Sequence, residues 1–144
     1  MEKIYDMIII GGGPAGLSAG IYGGRAKLDV LVIEKENKGG QISLTSEVVN
    51  YPGILEISGT EFMTQTRKQA EGFGVNFVQG EVVDMDFTKD IKTIKTKDAE
   101  YSALSVVIAT GAAPRKLGFP GEQEFTGRGV AYCATCDEIG RAHV

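Results

Sequence analysis

Three glycines spaced G-x-G-x-x-G (Gly11, Gly13 and Gly16) directly follow an apolar run at residues 5–10. In that setting the first glycine permits a tight turn and the second lets a pyrophosphate approach the backbone. The third allows a helix to pack closely on the strand. The start of that helix presents unpaired N–H groups and about half a positive charge, which suits phosphate. Glu34 stands 18 residues beyond Gly16, at the end of a second apolar run. A carboxylate there can accept hydrogen bonds from both ribose hydroxyls and repels a 2′-phosphate, which disfavours NADP at this first site. The alternative is a glycine-rich turn with no ligand, and the spacing alone does not separate FAD from NAD.

Cys133 and Cys136 are the only cysteines, spaced C-x-x-C and followed at once by Asp137. This spacing commonly lowers one thiol from about 8.5 toward neutrality, giving the thiolate that attacks disulfides. The pair can also close reversibly. A redox dithiol, two inert buried thiols and a zinc site are the readings that compete. Zinc needs four ligands, whereas the chain offers two thiols and one histidine, His143, so no metal is expected. A thioredoxin active site is a poor fit, because the pair lies late in the chain and no tryptophan stands beside it.

Charge and composition narrow the class further. With 19 acidic and 15 basic residues, a net charge of −4, the chain lacks the clustered basic footprint of a nucleic-acid binder. The 18 residues from Met7 to Gly24 carry no charge, which is membrane-helix length. Seven glycines and Pro14 within them resist a regular helix, and Glu2 and Asp6 are the wrong flank for a secretory signal. Hydrophobic residues at 42% suffice for a packed core. A cytoplasmic α/β domain is the expectation, with no membrane and no nucleic-acid partner.

An α/β frame is what positions these residues. Strands at 5–10 and 30–34 flank a helix over 14–25, a right-handed βαβ unit. Residues 35–57 read as a long loop with one short helical turn. Ser58 and Glu61 form a capping box that opens a helix reaching Phe73, with Gly74 as its stop. A strand follows at 75–79. Two or three short strands between 81 and 104, broken at 88–90 and 97–100, suggest an antiparallel meander. Residues 105–109 (SVVIA) predict another buried strand, and Pro114, Gly118, Pro120 and Gly121 mark a crossing between domains.

With the glycine fingerprint and C-x-x-C on one chain, the sequence resembles the N-terminal part of a low-molecular-weight, bacterial-type thioredoxin reductase. The matching segments are GGGPAG at 11–16, GGQ at 39–41, NYPG at 50–53, ATG at 109–111 and GRGVAYCATCD at 127–137. The resemblance implies a Rossmann-like, three-layer FAD-binding domain with an inserted antiparallel β-meander, truncated here. Residues 1–112 would be the N-terminal part of that domain, lacking its C-terminal return, and 113–137 the start of the NADPH and dithiol domain. It further implies that Gly11, Gly12, Gly13, Pro14, Ala15 and Gly16 cradle the FAD pyrophosphate, with Glu34 and Lys35 at the adenosine ribose. Gly40, Gln41 and Asn50 would lie along the flavin, the Val82 backbone would meet the adenine, and Ala109, Thr110 and Gly111 would pass close to the cofactor. Read on their own, Gly40, Gln41 and Asn50 are equally good loop residues.

By the same resemblance Cys136 faces the flavin, Cys133 attacks the partner disulfide, and Asp137 supplies or removes a proton; a helix-capping Asp137 is the plainer reading. The implied activity is an NADPH-dependent thioredoxin-disulfide reductase, a homodimer when full length, with thioredoxin as partner. The chain departs from the family pattern in two places. One G-x-G-x-x-G occurs, so the NADPH site is absent from these residues. From Glu138 the family glycine is missing, and 139–144 (IGRAHV) match nothing in the pattern. Residues 138–144 are therefore read as a non-native tail, and the isolated chain is expected to be inactive. The rival functions are the flavoprotein subunit of an alkyl hydroperoxide reductase and a non-catalytic FAD- or nucleotide-binding module.

Overall fold

The computed structural model describes residues 3–36, 39–126 and 128–133. The chain divides into two compact units, Met1–Gly111 and Ala112–Val144. The first begins with β1 (Ile4–Ile10), α1 (Pro14–Arg25) and β2 (Val30–Glu34). Parallel pairing of β1 with β2 sets Ile8 beside Leu31 and Ile10 beside Ile33. Alternation sends successive side chains to opposite faces. Ile9, Val30 and Val32 join Leu17 of α1 on one face, whereas Ile8, Ile10, Leu31 and Ile33 join Ile94 and Ala103 on the other. Both faces are covered, which explains why these strands read as unbroken apolar runs. Each fully buried isoleucine contributes about 1.5–3 kcal/mol.

The 3-10 turn Gln41–Leu44 and α2 (Gly59–Gly72) follow. The Ser58 hydroxyl accepts from the Glu61 N–H at 3.2 Å, as the capping box predicts. At the other end the Gly74 N–H donates to the Glu71 carbonyl and the Val75 N–H to the Ala70 carbonyl. This is a Schellman closure, and Ala70 and Val75 bury their contact in the core beside Phe62 and Met63. The aperiodic stretch before α2 is pinned to it. The Gly59 N–H donates to Thr45 O, the Thr60 hydroxyl to Ser43 O, and a single antiparallel bridge pairs Val48 with Ile57.

The remaining strands are β3 (Asn76–Gln79), β4 (Val82–Asp86), β5 (Lys92–Thr96) and β6 (Glu100–Ile108). They complete one mixed sheet of order β3-β2-β1-β6-β5-β4. Laid flat, six strands would separate β3 from β4 by about 24 Å. Gly80 and Glu81 alone join those two edges, and three Cα steps reach no more than about 11 Å. The sheet therefore folds over. β6 pairs with β5 through 100–103 and with β1 through 102–108, and the β4–β5 ribbon lies across the face of β1 and β2. The result is the expected three layers: helices, a parallel sheet and an antiparallel ribbon.

One element differs from expectation. The meander's last strand and the strand expected at 105–109 are a single nine-residue β6, and its second half is not buried on both faces. Leu104 and Ile108 are 54% and 60% exposed. Their apolar run resembles that of β1, but β5 stops pairing at Ala103. Beyond that point no strand lies on that edge among the described residues.

Candidate functional site

The turn between β1 and α1 leaves no room for a side chain at its first two glycines. Gly11 has φ +114, and a Cβ there would fall 2.2 Å from the Ala109 carbonyl oxygen. Its N–H donates to Ile33 O and the Ala109 N–H to Ile10 O, each at 2.8 Å. The start of the ATG segment is thus laid directly against the first fingerprint glycine. At Gly12 a Cβ would meet the Glu34 carboxylate at 2.2 Å. Gly13 is different: its nearest neighbour would be the Gly39 carbonyl oxygen at 4.0 Å. It is also the N-cap of α1 and supplies no side-chain cap, so the first-turn N–H groups face that open space.

The loop after β2 closes on the same place. Gly40, at φ +79, sits against the Gly13 Cα at 3.6 Å, measured from its own would-be Cβ. Gln41 opens the short turn that follows. The Ser43 hydroxyl beside Gly39 is the one buried side-chain oxygen or nitrogen without a partner among the described residues. An uncapped helix start, an open glycine and an orphaned hydroxyl together fit the phosphates and polar edge of a dinucleotide. Pro14 and Ala15 form the first turn of α1. Asn50, Thr110 and Gly111 are exposed, with Asn50 between the Val48 bridge and Tyr51.

Glu34 ends β2 almost fully buried, and its Oε1 accepts from Arg67 Nη1 while Oε2 lies over Gly12. Arg67 was not anticipated. Its guanidinium also lies 4.0 Å from the centre of the Phe77 ring, and its Nε donates to Glu71 at 3.1 Å. The available signal was a cation on the α2 face that carries Met63 and Ala70, at i+4 and i−3 spacing. Because the pair is neutral overall, repulsion of a 2′-phosphate is weaker than a lone carboxylate would give.

Lys35 and Val82 are brought to one place by Glu81. The Lys35 ammonium donates to Glu81 Oε1 at 2.6 Å and Lys97 pairs with Oε2. The Gly80 N–H donates to Glu34 O at 2.9 Å, so Val82 opens β4 next to the end of β2. Lys35, and after it Lys97, pulls the Glu81 carboxyl down to about 2. A carboxyl whose folded value lies below its unfolded value stabilises the fold above the unfolded value. That contribution is lost as pH falls from about 4.5 to about 2. The expected result is a urea midpoint that declines over this range less steeply in Glu81→Gln. Raising ionic strength from about 0.01 M to about 1 M should shrink the difference, since these groups face solvent. Equal slopes in the two proteins would reject the cluster as a contributor.

In the second unit Cys133 is half-buried and disulfide-bonded. Cys136, Asp137 and residues 138–144 lie outside the described residues. Among the described residues no cluster of three or more His, Cys, Asp or Glu could hold a metal, and no helix is long and apolar enough to cross a membrane.

The sequence matches the family described as pyridine nucleotide-disulphide oxidoreductase over residues 5–144. The chain belongs to that family. Within it, the chain is 54% identical over 138 residues to the thioredoxin reductase of Peptoclostridium acidaminophilum, covering 95% of this chain and 44% of that protein. It is 46% identical over 136 residues to the thioredoxin reductase of Bacillus subtilis strain 168, covering 94% and 43%. Among solved structures, thioredoxin reductase from Streptococcus pyogenes MGAS5005 is similar at a TM-score of 0.86 and 44% identity, over 95% of this chain and 45% of that one. The resemblance read from the motifs is borne out. The chain spans less than half the length of these curated oxidoreductases.

Proposed function

We propose that this chain is the FAD-binding and dithiol-bearing portion of an NADPH-dependent thioredoxin-disulfide reductase. The observation that carries the reading is the uncapped α1 start, open at Gly13, on the same chain as a disulfide-bonded Cys133. Residues 1–112 supply the nucleotide crevice. The α1 N-terminus holds the pyrophosphate, Glu34 and Lys35 meet the adenosine ribose, and the Val82 backbone meets the adenine. Gly40, Gln41 and Asn50 would lie along the flavin, and Ala109–Gly111 would pass close to the cofactor. Bound FAD supplies the two-electron chemistry that links NADPH to the dithiol.

The dithiol's own steps balance without it. The reduced Cys133 thiolate attacks the thioredoxin disulfide, forming a mixed disulfide and releasing one thioredoxin thiolate. Cys136 then attacks Cys133 sulfur, expelling the second thiolate and re-forming the Cys133–Cys136 disulfide, so two electrons pass to thioredoxin. Asp137 takes the Cys136 proton as that thiol attacks and passes it to the leaving thioredoxin thiolate, so that the protons balance.

The test uses the protein with its full coding sequence. Its flavin absorbance should bleach with NADPH and return on adding thioredoxin. Cys136→Ser should keep the flavin while thioredoxin turnover drops by at least ~10³-fold, the scale seen when a nucleophile is removed. A flavin that bleaches but never returns with thioredoxin would reject the partner, and a colourless protein would reject the crevice.

A further inference from the structure

Among its described residues, the segment that presents Cys133 has no helix or strand of its own, only a single bridge between Thr126 and Val130. Residues 112–119 are irregular and turns follow at 120–125 and 128–129, with Gly118 at φ +78 and Gly121 at φ +88. Such a segment needs a side chain to hold it, because its backbone ladder is short. Glu122 does this. Its residue is 4% exposed, and its carboxylate accepts the Leu117 N–H at 2.8 Å, the Gly118 N–H at 2.7 Å and the Tyr132 hydroxyl at 2.7 Å. Its own carbonyl accepts the Thr126 hydroxyl at 2.6 Å. One carboxylate therefore ties the beginning of the loop to the residue immediately before Cys133.

Tyr132 is 41% exposed, so ring burial alone does not fix it; the bond to Glu122 does. The carboxyl is held below the usual carboxylate range by the Leu117 N–H first and then by the Tyr132 hydroxyl, which outweigh the opposing effect of burial. It is a charged acceptor at neutral pH, and such bonds are stronger than neutral ones.

We propose that Glu122 is a positioning residue for the Cys133 disulfide, acting through Tyr132. The proposal rests on the reading of Cys133 as half of a redox dithiol. Closing a short disulfide loop is favoured when the cysteine backbone is already restrained, because less freedom is lost on closure. An anchor on the preceding residue supplies that restraint. Without it the dithiol form gains more freedom than the disulfide form, and the disulfide becomes easier to reduce.

The experiment is a redox titration of this chain in glutathione buffers, with thiols counted by alkylation and mass. Two glutathione thiols provide the two electrons and two protons that cleave the Cys133 disulfide, and they leave as one glutathione disulfide. Tyr132→Phe deletes one half-exposed hydroxyl and keeps both backbone bonds to Glu122. It should move the equilibrium about tenfold toward the dithiol, or ~30 mV for this couple, a shift in redox midpoint that a merely structural contact would not produce. Glu122→Gln, which cannot accept at both carboxylate oxygens, should shift the same way. A Tyr132→Phe midpoint at or below the parent's overturns the inference even if Glu122→Gln fails to fold, and leaves the dithiol reading intact. A parent chain with no reversible two-electron midpoint removes the dithiol reading itself, and the inference with it.

Discussion

Gly16→Ala is expected to cost at least the upper end of the ~1–3 kcal/mol typical of an overpacked core, and to abolish FAD retention in the full-length protein. The added Cβ would stand 1.9 Å from the Gly11 carbonyl oxygen and 3.3 Å from Ile9 Cγ2. Gly11 cannot give way, since it is held by the Ile33 carbonyl on one side and abuts Ala109 on the other. The helix would have to lift from β1. Gly23, whose added Cβ would reach Val30 at 2.9 Å, is a second close seat on α1, whereas Gly20, between it and Gly16, would meet nothing nearer than 3.6 Å. Gly13→Ala is the matched comparison. Its φ is −78, its surroundings are open, and the change from one N-cap residue to a poorer one costs about 1 kcal/mol. It should fold and yet lose FAD, because the methyl group occupies the phosphate approach. Urea midpoints and retained flavin absorbance separate the two outcomes. A Gly16→Ala protein as stable as its parent would show that the close approach is not a constraint.

The contrast between those two glycines also shows which parts of the architecture could be read without coordinates. β1, α1 and β2 were legible because both faces of the strands are covered and because glycine spacing marks a close helix. α2 was legible from Ser58, Glu61 and Gly74, all local chemistry. The fold-over of the sheet was not. It follows from Gly80 and Glu81 joining opposite edges, and strand order is set by pairings between residues far apart in the chain. The same blindness split β6 at Leu104, where exposure changes although the hydrogen-bonded strand continues. At the site, family resemblance set Gly40 and Ala109 near the same cofactor as Gly11–Gly16 but did not foretell that Gly40 abuts Gly13 and Ala109 abuts Gly11, since no periodicity links those segments. Arg67 and Glu122 escaped because a single charged residue that finds a distant partner leaves no spacing signature. Each became visible only through the buried carboxylate or loop it holds.

Arg67 carries the other large expected effect. Arg67→Leu should destabilise the first unit by about 3 kcal/mol, the lower end of the ~3–5 kcal/mol for breaking a buried pair. The lower end applies because the Arg67 side chain is 27% exposed although that of Glu34 is only 6% exposed. Part of the loss is the stacking of the guanidinium on Phe77, worth about 0.5–1 kcal/mol. The rest is a carboxylate left in a place water barely reaches. Adding Glu34→Leu to Arg67→Leu should therefore restore most of the lost stability, since an apolar pair of similar volume is often neutral or better. The restored protein should still fail to hold FAD, because the acceptor for the ribose is gone. Urea unfolding of the two single variants and the double variant measures the coupling, and flavin content in the full-length background measures the binding. An Arg67→Leu midpoint equal to the parent's would mean that Glu34 is solvated well enough to stand alone, and the ion pair would then have no part in holding the acceptor in place.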